Sequence, residues 1–245
     1  MQLSAAGCLS PQQNLFFSGL VRWLGSRLGA SFTSAQWEEA DLVYMCGLPT
    51  GLALGWFDPL VAPVMTHPRY GSQPIYFADV ILRDGFAAAT WADLAGCRFA
   101  YNEEGSFSGW AAVLIELRRQ GIPAEALQWR RTGSHTASIE LVAAGEADAT
   151  ALDSMMLELE APRLNLKALV SLGPWPMPPI SLARHRADLA AELTSLLTSL
   201  PEDEKGRQLL DGFAISHLEP VDRRRYQDLA DEVSSLDLTG FEAST

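Results

Sequence analysis

The sequence predicts an α/β protein. Short apolar runs with strand character alternate with segments of helical period from the first residues to beyond position 180. Residues 101–153 contain a strand, a serine-bearing turn and a helix, and then that arrangement again. With 245 residues, 48% of them hydrophobic, the chain can bury one large α/β core or two smaller ones.

The elements follow in order. Residues 3–8 read as a short strand. Ser10-Pro11 then opens a helix over 12–28, where Leu15, Phe16, Leu20, Trp23, Leu24 and Leu28 share a stripe that Gly29 ends. Residues 31–33 are extended, 35–40 a short helix and 42–46 a buried strand ending at Gly47; Pro49 starts a helix to Trp56. Residues 61–66 are a strand, and after a Pro/Gly-rich turn at 68–74 the alternation over 75–83 predicts a long one. Residues 90–96 form a capped turn into a strand at 97–101. Helix 108–120, strand 128–132, helix 135–144, strand 149–152 and helix 154–159 come next. A strand at 167–172 is interrupted by the stiff Gly173-Pro174-Trp175-Pro176-Met177-Pro178-Pro179, and 180–183 is another. From Ala187 to residue 236 the chain reads as helical and polar-faced.

Composition excludes several classes. Thirty acidic against eighteen basic residues, net −12, spread along the chain, argue against nucleic acid or an anionic membrane as partner. No run is long and apolar enough to insert into a membrane. Cys8, Cys46 and Cys97 lie far apart in apolar strand-like contexts without a CxxC pair, and are expected to be small buried core residues. No histidine pair has metal spacing, no dinucleotide or Walker motif is present, and neither metal nor cofactor is expected. Residues 1–7 lack the basic and apolar regions of a secretory signal, which predicts a cytoplasmic chain as it stands and a periplasmic one where a leader has been removed.

The candidate site lies at two helix starts. A helix N-terminus offers unpaired N–H groups and a positive dipole end, so Ser106-Phe107-Ser108 and Gly133-Ser134-His135 make two seats for an anionic or polar ligand. Each residue also has a packing role open to it. Ser106 and His135 can cap their own turns, Asp153 can cap the helix that follows it, and Trp175 can pack in the core or face a ligand. Ser108, His135 and Asp153 could also be assembled as a nucleophile set, but serine and histidine at separate helix starts act more naturally as ligand donors.

Motifs in this order resemble one family. DLVYMCGLPTG at 41–51, YFADVILRD at 76–84, WADLAGCRFAYNEEGSFSGW at 91–110, GSHTASIELVAAGEADATALDS at 133–154 and the proline-rich return at 173–179 resemble the phosphonate/phosphate/phosphite class of ABC-transporter substrate-binding proteins. The resemblance covers nearly the whole chain. It implies the type 2 periplasmic-binding-protein fold: two lobes, each a mixed sheet flanked by helices, joined by two crossing strands and closing on a ligand. Lobe one would hold residues 1–74 and 182–245, and lobe two residues 75–181. The implied ligand residues are Tyr44, Tyr76, Ser106, Ser108, His135 and Asp153, with Phe107 between the two serines. The implied partners are a small-molecule ligand and an ABC permease, with the chain acting as a monomer. Enzymes of thiamine-pyrimidine and menaquinone biosynthesis share the fold and give the alternative function.

Two departures shape the expected ligand. Phe107 stands where phosphonate binders carry a hydroxyl, and Glu103 and Glu104 precede the serine turn. Carboxylates facing a dianion would repel it, so a neutral, singly charged or ring-bearing solute is expected to bind better than phosphate or methylphosphonate.

Overall fold

The computed structural model describes residues 1–160 and 167–236. The chain divides into two compact units, Met1–Ile75 with Pro176–Ala230, and Tyr76–Trp175 with Asp231–Thr245. The chain thus passes from one unit to the other at 75/76, 175/176 and 230/231.

The first unit is built on strands β1 (Gln2–Cys8), β2 (Ser31–Ser34), β3 (Leu42–Met45), β4 (Phe57–Met65), β10 (Ile180–Ala183) and β11 (Ile215–Pro220). They form one mixed sheet in the order β11-β4-β10-β3-β1-β2, parallel for β1 with β2 and β3, antiparallel where β10 meets β3 and β4 and where β11 meets β4. Helix α1 (Pro11–Leu28) starts as its sequence dictates: Ser10 and Gln13 make a reciprocal capping box and Pro11 fills the first turn, where its missing N–H costs nothing. It ends where Gly29 turns left-handed at φ 60°. Phe16, Phe17, Leu20, Trp23 and Leu24 form its buried stripe.

Three local expectations are corrected. The helix opened by Pro49 is α2 (Gly47–Leu52), beginning two residues earlier and ending sooner. The polar C-terminal region is not helical throughout: β11 lies between α7 (Glu204–Asp211) and α8 (Arg223–Ser234), and only Ile215 and Leu218 of its residues are fully buried, too few to show an alternation. Cys8 is exposed rather than a core residue, whereas Cys97 is buried as expected.

The second unit carries β5 (Ile75–Leu82), β6 (Arg98–Tyr101), β7 (Gln128–Arg131), β8 (Ala149–Asp153) and β9 (Lys167–Pro176), in the order β7-β6-β8-β5-β9. β6 is parallel to β7 and β8, and β5 runs antiparallel to β8. β9 does not stop at Leu172 but continues through Pro174 to Pro176. It is one of the two edge strands of this sheet, where prolines are tolerated. Two mixed sheets flanked by helices, one in each unit, are the architecture that the resemblance implies.

Helix α4 (His135–Ala143) covers one face of the second sheet, packing Ile139 on Ile81 and Leu152, and Val142 on Ala100 and Ala147. Thr150, paired with Ile81 and Ala100, lies beneath that helix, fully buried, and its hydroxyl has no partner. A buried unpaired hydroxyl opposes folding. Thr150→Val is therefore expected to stabilise the protein by about 1 kcal/mol, read as a higher thermal midpoint; an unchanged or lower midpoint would show that the hydroxyl is satisfied.

Candidate ligand-binding site

The topology of the second sheet gathers the site. β6 and β8 run the same way, so the turn after β6 and the end of β8 come to one sheet edge, and the loop after β7 joins them. Thr132 and Gly133 donate their N–H groups to the carbonyls of Tyr101 and Asn102, at 2.8 and 2.9 Å, and so stitch the start of α4 to the turn after β6. Ala78 of antiparallel β5 pairs with Asp153, which brings Tyr76 to the same edge. Tyr76, Ser106, Ser108, His135 and Asp153 are thus brought to one end of the second sheet from four separate points of the chain.

The turn after β6 is wider than the sequence suggests. Instead of a regular helix from 108, a π-helical turn at Phe107–Ala111 precedes α3 (Ala112–Arg119). Such turns recur at functional sites because the extra residue re-aims side chains. Ser106 caps it, its Oγ accepting from the Gly109 N–H at 3.1 Å. Ser108 is 3% exposed, and its Oγ lies 3.3 Å from Nε2 of His135.

Gly109 makes that approach possible. A Cβ there would stand 2.1 Å from Oδ1 of Asn102 and 3.1 Å from Cε1 of His135. Sequence reasoning passed over Gly109 and Asn102; the only available signal was a glycine directly after Ser108.

His135 begins α4, with Ser134 as its N-cap accepting from Ala137 N–H at 3.1 Å. Its Nδ1 is buried without a partner. Burial pushes the imidazole pKa down to about 4, so the ring is neutral near pH 7. Asp153 accepts from the Met155 N–H at 2.8 Å, the cap of α5 (Ser154–Glu160) that its position predicted. Phe107 is fully buried and meets Trp175 edge-on, ring centroids 4.8 Å apart. Tyr44 is in the first unit, in β3, packed between Phe16 and Phe17 at 6.1 and 5.6 Å.

The expected repulsion from the two glutamates is corrected. Glu103 and Glu104 are both exposed. Glu104 accepts from the Tyr101 hydroxyl at 2.8 Å and pairs with Arg131 at 3.5 Å. Although partial burial works against it, a backbone N–H, that hydroxyl and the guanidinium hold its carboxyl below the usual range. Its charge is matched where it stands and Glu103 is exposed, which weakens the electrostatic half of the argument against a phosphonate; the half that rests on Phe107 between the two serines is untouched.

A family profile described as ABC transporter, phosphonate, periplasmic substrate-binding protein matches residues 28–226. The chain belongs to this family. It is a small-molecule-binding protein of the kind that serves ABC transporters. Among solved structures it is similar to PhnD1 from Prochlorococcus marinus in complex with methylphosphonate, at 18% identity and TM-score 0.78 over 96% of this chain and 98% of that one. XAC2383 from Xanthomonas citri bound to ATP shares 19% identity, with TM-score 0.75 and the same coverage of both chains. The aliphatic sulphonate binding protein SsuA from Escherichia coli shares 16% identity with TM-score 0.65, over 94% of this chain and 87% of that one. At these identities the likeness establishes the fold. No curated protein sequence matches the chain. No helix among the described residues is long and apolar enough to cross a membrane.

Proposed function

We propose that this member of the family captures a small tetrahedral oxyanion of the phosphonate or sulfonate class for an ABC-type permease, and that Ser106, Ser108 and His135 hold the anionic head. The observation that carries the reading is the Ser108–His135 pair at the starts of two helices, 3.3 Å apart and closed over Gly109. Two hydroxyls, a neutral imidazole and the free N–H groups of helix starts are donors suited to oxyanion oxygens.

The same pair argues for binding rather than catalysis. A serine–histidine nucleophile needs a third group to orient the base. Nδ1 of His135, where that group would bond, has no partner, and Asp153 is occupied with the Met155 amide. A bound solute is therefore expected to be recovered unchanged.

Calorimetry on protein unfolded and refolded to strip carried-over solute tests the seat, with methylphosphonate and methanesulfonate as probes. Ser108→Ala and His135→Ala are each expected to weaken binding by about 1–3 kcal/mol. Unchanged affinity in both variants, or no binding of either probe to the native protein, would overturn the reading.

A further inference from the structure

Trp175 is the penultimate residue of β9 and stands against Phe107 of the serine turn. Gly173, two residues before it, lies against the start of β5: a Cβ on Gly173 would come within 3.1 Å of the Tyr76 carbonyl and 3.0 Å of Cδ1 of Trp175. The backbone at Gly173 is also at φ 132°, a conformation that glycine alone adopts readily, so this return of the chain is shaped around the indole.

The ring itself is fixed from two sides. Phe107 meets it edge-on at 4.8 Å, and the guanidinium of Arg119 sits 5.7 Å from its centroid. Arg119 is in turn held by Glu232 at 2.7 Å. Yet the polar atom of this immobilised side chain is unused. Trp175 is 8% exposed, and its Nε1 is buried with no hydrogen-bond partner. An indole N–H can only donate, and a buried donor without an acceptor is costly enough that buried tryptophans normally find one.

We infer that the Trp175 indole N–H is a specificity-determining donor of the oxyanion seat, reading a hydrogen-bond acceptor on the ligand's substituent rather than on its anionic head. The inference rests on the seat proposed above. Its direction follows from the turn: Ser108 points to His135, while its neighbour Phe107 points to Trp175, and successive side chains on a helical turn diverge by roughly 100°. Trp175 therefore flanks the head group. The ligand class this selects is a phosphonate or sulfonate whose organic arm carries a hydroxyl, carbonyl or carboxylate oxygen. A site with a buried donor discriminates against analogues that lack the acceptor, because binding them leaves the donor unpaired.

Ethylphosphonate and 2-hydroxyethylphosphonate differ by one hydroxyl and isolate this contact. Calorimetry on refolded native protein is expected to show about tenfold tighter binding of the hydroxylated probe, the worth of one buried hydrogen bond. Trp175→Phe keeps a ring for Phe107 and Arg119 and removes the N–H; it is expected to abolish that preference, read as the ratio of the two probes' affinities in the variant. Nitrogen-15 spectra of the native indoles, recorded with each probe, give a readout that does not depend on the variant's folding: one indole N–H should move downfield with the hydroxylated probe alone. Equal affinity for the two probes, or a preference that survives in Trp175→Phe, overturns the inference and leaves the seat standing. If neither probe binds the native protein, the seat falls and the inference with it.

Discussion

Gly109→Ala is expected to abolish solute binding in practical terms, lowering affinity by about a hundredfold or more, while destabilising the fold by about 1–3 kcal/mol. The added methyl would overlap Asn102 Oδ1 at 2.1 Å and press on His135 Cε1 at 3.1 Å, so either the π-helical turn or the start of α4 must move, and both carry residues of the proposed seat. Gly51→Ala supplies the control. Its Cβ would stand 2.3 Å from the Tyr226 carbonyl and 2.9 Å from Cβ of Ala230, an overlap of similar severity within the first unit. That variant is expected to lose stability while its folded molecules keep full affinity for methylphosphonate. Calorimetry beside thermal denaturation separates the two; equal affinities in Gly109→Ala and Gly51→Ala would show that Gly109 matters for folding alone.

Asp148→Asn is expected to cost a substantial part of the protein's stability while leaving the proposed seat untouched. The carboxylate accepts from Arg83 Nε at 2.8 Å, from Arg98 Nε and Nη2 at 3.0 and 2.8 Å, and from the Arg98 backbone N–H at 3.0 Å. It thereby joins the end of β5, the start of β6 and the approach to β8. Removing one member of a fully buried ion pair costs about 3–5 kcal/mol. Here the two guanidinium side chains are 33% and 43% exposed, so about 2 kcal/mol is the expected cost.

The pH dependence follows with a definite sign. The hydrogen bonds from Arg98, joined by those from Arg83 and the Arg98 backbone and opposed by partial burial, hold the Asp148 carboxyl well below the usual carboxylate range. A depressed folded pKa means that the unfolded chain binds the proton first. The stabilisation is complete above the unfolded value of about 4 and is lost as pH falls below it. Denaturant titrations of native protein should steepen in their loss of stability below about pH 4, and Asp148→Asn should lack that part of the acid limb. Parallel pH profiles for the two proteins would refute the assignment.

Much of this was legible in the residues, for reasons that differ by element. The start of α1 was readable because Ser10, Pro11 and Gln13 act through local bonds, and its end because Gly29 must turn left-handed. β10 was found at Ile180–Ala183 because a strand buried on both faces is apolar along most of its length, here all but Ser181. β11 was not, because it pairs on one side only, with β4, and its polar residues meet solvent. The proline-rich end of β9 looked like an interruption because the residues themselves do not tell that the strand is outermost. In the site, Ser108 and His135 were readable as helix starts, whereas their approach depends on the parallel pairing of β6 and β7, a long-range choice. The glutamates misled for the same reason: proximity in sequence placed them beside the serines, and only the fold shows Glu104 turned to Arg131 and Tyr101.

In the seat proposed above, the neutral imidazole of His135 would set how solutes are discriminated. The chain as a whole carries a net charge of −12, so at long range it repels an anion, and the field that draws a solute to many anion sites is of the wrong sign here. A seat made of hydroxyls, an uncharged ring and helix starts attracts only at contact distance, where each donor must meet an oxygen in the right direction. Charge without geometry gains little from such a seat. A spherical halide satisfies such directed donors poorly, while a tetrahedral oxyanion can meet them together, and that contrast is the selectivity the proposed seat would have.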